Sequence, residues 1–221
     1  KGGMLEQLAN KGNGNYGYID QFSEAKRLFG EELFGTLVTI AKDVKVQVEF
    51  NPEKVQAYRL IGYVNRKLAD RDFNDDTKDA GEIGAGHTVT ALYEIVPTGI
   101  EGARPSIDPL RYSNPPTPTR RTTVSNELFH VKLRYKYPKE DTSRLLSIPV
   151  EDSGRGYEQS STNLRFAASV AAYGMLLRNS QAVGDTQWDQ VHAWASQSLG
   201  SDPNGHRREF LSLIRAAQRL S

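Results

Sequence analysis

Apolar and polar residues alternate with a period of two through the middle of the chain. Between Val44 and Phe50 every second residue is apolar, and the intervening residues are charged or polar. Similar runs cover 55–64, 87–95 and 128–137, and a shorter one covers 145–150. Successive side chains of a strand point to opposite faces, so we predict half-buried strands here. Since no helical period separates them, the sheets should be antiparallel and packed face to face.

A spacing of three to four residues between apolar positions predicts helices at both ends of the chain. The N-terminal part indicates a helix, a brief strand over 15–19 and a second helix that begins near Ser23. The C-terminal part indicates three helices, which begin near Thr162 or Asn163, Thr186, and Asp202-Pro203. The last of them is expected to turn four apolar side chains inward: Phe210, Leu213, Ile214 and Ala217.

These elements predict an α+β fold with three parts. Residues 1–36 form a helix-strand-helix unit, residues 37–152 an antiparallel β-sandwich, and residues 157–221 a three-helix unit. Six of the ten prolines lie between Pro97 and Pro118, and proline cannot donate to a strand ladder or sustain a helix. The range 97–118 is therefore predicted to be a long surface loop, either functional or disordered.

Composition excludes several classes of function. The 28 basic and 27 acidic residues leave a net charge of +1, so no overall field attracts nucleic acid. The absence of cysteine excludes disulfides, thiolate nucleophiles and cysteine-ligated zinc. No apolar run approaches the roughly 20 residues that cross a bilayer, and the first residues contain no signal-peptide segment. We expect a piece of a longer protein.

An acidic loop over residues 70–82 is the densest chemical feature. Its oxygen-bearing side chains suit Ca²⁺, and the candidate ligands are Asp70, Asp72, Asn74, Asp76 and Glu82. The spacing departs from an EF-hand, because Asp75 stands where glycine is required and Gly81 where the bidentate glutamate is required. A solvated or structural loop, neutralised by neighbouring Lys and Arg, is the alternative to a calcium site.

Histidines and a basic stripe are the other candidates. His87, or His130 with a nearby carboxylate, supports a hydrolase hypothesis, although the sequence identifies no nucleophile. Alternate residues of the strand 128–137 form a basic stripe: His130, Lys132, Arg134 and Lys136. The stripe is either a solvated face that discourages edge pairing or a surface that binds an acidic protein partner.

Five segments of the chain resemble a known bacterial family. They are 12–20 with the helix that follows, Leu37 to Lys45, Tyr58 to Tyr63, Phe73 to Asp76, and Gly84 to Tyr93. This series resembles the C-terminal domain of YfbK-type von Willebrand factor A proteins, often labelled homologues of calcium-activated chloride channels. Residues 1–36 then correspond to the tail of the A domain.

The resemblance implies a location in the bacterial cell envelope or periplasm. The A domain of such proteins carries a metal-dependent adhesion site with an Asp-x-Ser-x-Ser motif, and these 221 residues contain no such motif. We therefore expect a non-enzymatic protein-interaction or scaffolding module, with an unidentified protein partner and no cofactor. The alternatives are a calcium-responsive module that uses the loop 70–82, and a hydrolase that uses His87 or His130.

Overall fold

The chain forms two compact units. The computed structural model describes residues 2–11, 16–31, 33, 37–62, 72–78, 80–100 and 126–221. The first unit comprises residues 1–49, 68–89 and 130–149, and the second comprises 50–67, 90–129 and 150–221. None of the described helices has the length and apolar character needed to span a membrane. Most of the Pro-rich loop 97–118, along with Asp70, lies outside the described residues.

Two short helices begin the first unit. Helix α1 covers Gly2–Lys11, and α2 covers Phe22–Lys26 and continues as a π-helical turn over Arg27–Glu31. Residues 16–20 join neither sheet, so the strand predicted over 15–19 is not formed in its described part. A single short strand without a neighbouring strand leaves its backbone groups unpaired.

Six strands form two sheets. They are β1 (Thr39–Phe50), β2 (Val55–Ile61), β3 (Gly81–Gly84), β4 (Leu92–Pro97), β5 (Glu127–Lys136) and β6 (Arg144–Glu151). The larger sheet has the order β3-β1-β5-β6, and β2 pairs with β4 in the smaller one. The run predicted over 87–95 becomes a strand only from Leu92, while β3 forms over Gly81–Gly84, where the alternation predicted no strand.

Aromatic side chains pack on the smaller sheet within the second unit. The antiparallel pairing runs from Val55 opposite Pro97 to Ile61 opposite Leu92. Phe50 stacks on Tyr58 with ring centroids 4.3 Å apart and meets Tyr93 edge to face at 5.3 Å. Phe129 lies 5.7 Å from Phe50. These rings cover one face of the two-stranded sheet, which a lone hairpin would leave in water.

Three helices end the chain and hold the main core of the second unit. They are α3 (Thr162–Leu177), α4 (Trp188–Gln197) and α5 (His206–Leu220). The Ser161 hydroxyl caps α3 by accepting from the Leu164 N–H at 3.1 Å. The core contains Ala172, Val191, Ala195 and Ile214. Antiparallel sheets and three C-terminal helices confirm the predicted α+β fold class.

Two apolar positions differ from the predicted inward orientation. Leu213, expected in the core beside Ile214, is exposed, because consecutive helix residues point about 100° apart. Val46 of β1 is also exposed, whereas the neighbouring Lys45 is buried. The alternation in β1 was predicted correctly, but the face of the strand that is covered was predicted wrongly.

Candidate functional site

Two lysines are buried on the charged face of the larger sheet. Lys45 of β1 and Lys136 of β5 are only 4% and 6% exposed. An ammonium group removed from water requires hydrogen-bond acceptors or a paired charge. The acidic segment 72–76 supplies those acceptors by crossing this face.

The acceptors are mainly backbone carbonyl oxygens of the acidic segment. Lys45 Nζ donates to the carbonyl oxygens of Asp72, at 3.3 Å, and Asp75. Lys136 Nζ donates to the carbonyl oxygen of Asp76 at 2.7 Å and to Asp43 Oδ2 at 2.7 Å. Two ammonium groups thus occupy the oxygen-rich interior of the segment.

Asp43 completes this arrangement from an irregular position in β1. Its φ of 51° lies in the left-handed region, at the point where the β1–β3 register shifts between Ala41 and Val44. Burial favours a higher pKa for Asp43. The hydrogen bonds from Lys136 and from the Ala80 N–H, together with the charge of Lys45, outweigh it and hold the pKa below 3.8. Asp43 is therefore ionised at neutral pH.

Arg134 joins the acidic segment to the hairpin between β5 and β6. Its guanidinium lies 5.6 Å from the ring centre of Phe73, which is buried. It donates to Asn74 Oδ1 at 3.1 Å and to the Ser143 hydroxyl at 2.7 Å. The Ser143 N–H donates to Asp76 Oδ2 at 3.3 Å, and hydrogen bonding from Ser143 lowers the pKa of Asp76. Arg134 and Ser143 thus hold the acidic segment 72–76 against β5 and against the hairpin between β5 and β6.

Three of the predicted calcium ligands, Asn74, Asp76 and Glu82, make separate contacts in the described residues. Asn74 and Asp76 contact Arg134 and Ser143, whereas Glu82 lies on β3 and accepts from the Thr39 hydroxyl at 3.3 Å. Asp70 is outside the described residues. Within the described ranges no three acidic or histidine side chains are grouped as a metal site. In the described residues, lysine side chains donate to the carbonyl oxygens of the acidic segment and offset its negative charge.

The predicted basic stripe divides into two halves. Arg134 and Lys136 contact the acidic segment of their own chain, as described above. At the other half, Lys132 pairs with Glu49 at 3.3 Å, and His130 Nε2 lies 2.9 Å from the Ser147 hydroxyl. Only the second half remains available to an acidic partner.

The two candidate catalytic histidines lie on different elements and make different contacts. His87 follows β3 in a turn, where its N–H donates to the Gly84 carbonyl at 3.1 Å. The His130–Ser147 contact supplies a hydroxyl beside an imidazole, which sequence reasoning missed because the two residues lie on different strands. Among the described residues no carboxylate contacts the second nitrogen of His130. The contact is a dyad without the group that orients a catalytic base.

The opposite face of the same sheet is apolar and open. Its side chains are Val44, Val46, Val48, Val131, Leu133, Tyr135, Leu146 and Ile148, and we call them the apolar face. Val46 and Ile148 are each 57% exposed, and Leu146 is 48% exposed. The assignment of faces in β6 follows from Ser143 and Ser147, whose hydroxyls contact the charged face. The acidic segment therefore covers only the part of the charged face that holds Lys45 and Lys136.

Comparison with known proteins shows the family to which the chain is similar. The family model described as "Uncharacterized protein YfbK, C-terminal" matches residues 35–220. The "Uncharacterized protein YfbK" of Escherichia coli K12 is 44% identical over 214 residues, which is 97% of this chain and 36% of that protein. The chain thus spans about a third of the length of this relative. No solved structure matches the chain.

Proposed function

The chain belongs to the YfbK C-terminal family, and we propose that it acts there as a non-enzymatic interaction module. Its apolar face packs against another domain of the same longer polypeptide. The observation that carries the proposal is the exposure of Val46, Leu146 and Ile148 on one face of the sheet, while the acidic segment covers the buried lysines on the opposite face. A location in the cell envelope, as the resemblance implies, is part of the same proposal.

The apolar face leaves apolar side chains exposed to water in the isolated chain. A sheet that is apolar on one face is stable when that face is buried against another layer. Full burial of one Val, Leu or Ile side chain contributes about 1.5–3 kcal/mol. Contiguous exposed apolar patches mark interaction surfaces in soluble proteins. The three exposed side chains therefore favour a partner that presents a complementary apolar surface.

The size of the apolar face supports a partner on the same polypeptide. Its eight side chains lie on three strands about 4.8 Å apart, with spacings of about 6.8 Å along each strand, and present roughly 260 Å². Both partners together would bury about 520 Å². Stable complexes of separate proteins bury about 1,200–2,000 Å², whereas domain interfaces within one chain begin near 600 Å². A covalent link raises the effective concentration to about the millimolar range, which compensates for the small area.

Residue chemistry supports the non-catalytic part of the proposal. The chain has no cysteine, and the His130–Ser147 contact lies on an exposed sheet face without an orienting carboxylate among the described residues. Nucleophilic hydrolases bring a nucleophile, a base and an orienting group together around one concave position. Lys45 and Lys136 are engaged in structural contacts and are not accessible to a substrate.

A matched pair of substitutions tests the proposal. Leu145 and Leu146 are adjacent in β6 and similarly exposed, at 49% and 48%, but only Leu146 belongs to the apolar face. Each substitution is introduced into the full-length polypeptide and into the isolated chain, and thermal unfolding is followed by calorimetry. We expect Leu146→Glu to lower the melting temperature of this part in the full-length polypeptide but not in the isolated chain, because a charge would be buried without a partner, and Leu145→Glu to have the same effect in both.

Two results would reject this proposal. Equal effects of the two substitutions would show that the apolar face is not the contact surface. A dimer of the chain alone in light scattering, abolished by Leu146→Glu but not by Leu145→Glu, would identify a second copy as the partner instead.

A further inference from the structure

Residues 16–20 form a short segment of the first unit that belongs to neither sheet. None of them has a left-handed backbone, and the segment leads into Gln21, whose φ of −137° and ψ of 157° are those of a strand. Three of its five residues, Tyr16, Tyr18 and Ile19, are of types that are enriched in strands. The segment therefore has the composition of a strand but no neighbouring strand among the described residues.

The backbone of this segment is available for pairing. Within the described ranges no hydrogen bond joins an N–H or carbonyl group of residues 16–20 to another part of the chain. The segment nevertheless lies close to the helix that follows it, since a Cβ atom added at Gly17 would be 2.9 Å from Leu28 Cδ1. Contact with a helix through one face of a strand leaves both hydrogen-bonding edges of that strand open.

Apolar side chains of this segment and of the adjoining helix are exposed to water. Tyr18 is 71% exposed and Phe22, at the start of α2, is 85% exposed, while Ile19 and Phe29 are exposed as well. Flexible linkers, by contrast, are rich in Gly, Ser, Pro and charged residues. An unpaired strand with exposed apolar side chains promotes aggregation unless a partner covers it. The composition therefore favours a strand that completes another sheet over a solvated linker.

The family comparison indicates which part of the protein supplies that sheet. The model of the C-terminal family begins at residue 35, so residues 16–20 precede the region that defines this domain. The match to the relative extends over nearly the whole chain and therefore includes most of residues 1–34. Most of that relative's own length lies outside the match, which leaves room for a further domain in the longer polypeptide.

We infer that residues 16–20 add a β-strand to a sheet in another domain of the same longer polypeptide. The backbone N–H and carbonyl groups of the segment pair with an edge strand of that sheet, as extended segments do when they join an exposed sheet edge. Tyr16 and Tyr18 then lie on one face of the completed sheet, and Gly17 and Ile19 lie on the face nearer α2. This contact is separate from the apolar face, which lies on β1, β5 and β6.

Hydrogen exchange of the unmodified protein tests the inference. Exchange is followed by mass spectrometry of the peptide that contains residues 16–20, in the isolated chain and in the full-length polypeptide. We expect at least two of these amides to exchange about a hundredfold more slowly in the full-length polypeptide, because a paired amide exchanges only when its strand opens. Equal exchange in both would overturn the inference. Slow exchange in the isolated chain that depends on its concentration would assign the strand to a second copy and would overturn the inference as well.

Two double substitutions separate backbone pairing from side-chain contacts. Tyr18→Pro with Ile19→Pro removes one N–H from each edge of the segment, because adjacent N–H groups of a strand point to opposite edges. Tyr18→Thr with Ile19→Val keeps both N–H groups and the strand propensity. In the full-length polypeptide the proline pair should lower the melting temperature by several degrees more than the control pair, and in the isolated chain neither pair should change it. Equal effects of the two pairs in the full-length polypeptide would contradict backbone pairing.

Discussion

Lys136 Nζ lies 2.7 Å from Asp43 Oδ2, and the two side chains are only 8% and 19% exposed. This pair joins β5 to the irregular position in β1. Asn retains the tolerance of Asp for left-handed backbone but lacks the charge. We expect Asp43→Asn to lower the free energy of unfolding by about 3 kcal/mol in urea titrations at pH 7, because the buried Lys136 ammonium loses its paired charge.

The effect of Asp43→Asn should depend on pH. The pKa of Asp43 in the folded chain lies below its ordinary value of 3.8. A depressed pKa stabilises the fold above the unfolded pKa, and this contribution disappears as the pH falls through the folded pKa. The difference between wild type and Asp43→Asn should therefore be constant above about pH 5 and shrink below 3.8. A difference that is constant down to the folded pKa, or that grows on acidification, would contradict this assignment.

Ile214 and Leu213 provide a test of the helical core. Ile214 is fully buried and Leu213 is 50% exposed, although both were predicted to face inward. We expect Ile214→Ala to lower the free energy of unfolding by about 2–5 kcal/mol through loss of buried contacts and formation of a cavity. Leu213→Ala should change it by less than about 1 kcal/mol. Similar losses at both positions, measured by chemical denaturation, would contradict the orientation of α5.

Calcium should have little effect on the stability of the chain. Lys45 and Lys136 already bind the carbonyl oxygens of the acidic segment, and a ligand stabilises a fold only when it binds the folded state. We expect millimolar Ca²⁺ to leave the melting temperature unchanged. A rise of several degrees, lost in Asp72→Ala and Asp76→Ala, would instead support the calcium-responsive alternative.

Sequence patterns predicted most elements because strand and helix periods are local properties. The periodicity of 128–137 located β5, and that of 44–50 located most of β1. The covered face of β1 could not be predicted, because Lys45 is buried by residues about 30 positions later in the chain. The same reason applies to the His130–Ser147 contact, which depends on the pairing of two strands.

Candidate chemistry was harder to predict than secondary structure. The acidic loop and the basic stripe were identified separately, as a calcium site and as a surface for an acidic partner. In the folded chain Lys136 of the stripe binds the Asp76 carbonyl oxygen of the loop. Composition indicates where charges are concentrated, whereas their contacts depend on long-range topology.

Thiol labelling at one position of β6 is the most direct test of the interaction module. The chain contains no cysteine, so Leu146→Cys and Leu145→Cys each introduce one reporter with similar exposure on opposite faces of the sheet. Labelling by a maleimide is followed by mass spectrometry of the peptide that contains positions 145 and 146, in the isolated chain and in the full-length polypeptide. We predict that labelling at position 146 slows at least about tenfold in the full-length polypeptide, while labelling at position 145 is unchanged. Equal labelling of position 146 in both would contradict the proposal that another domain covers the apolar face.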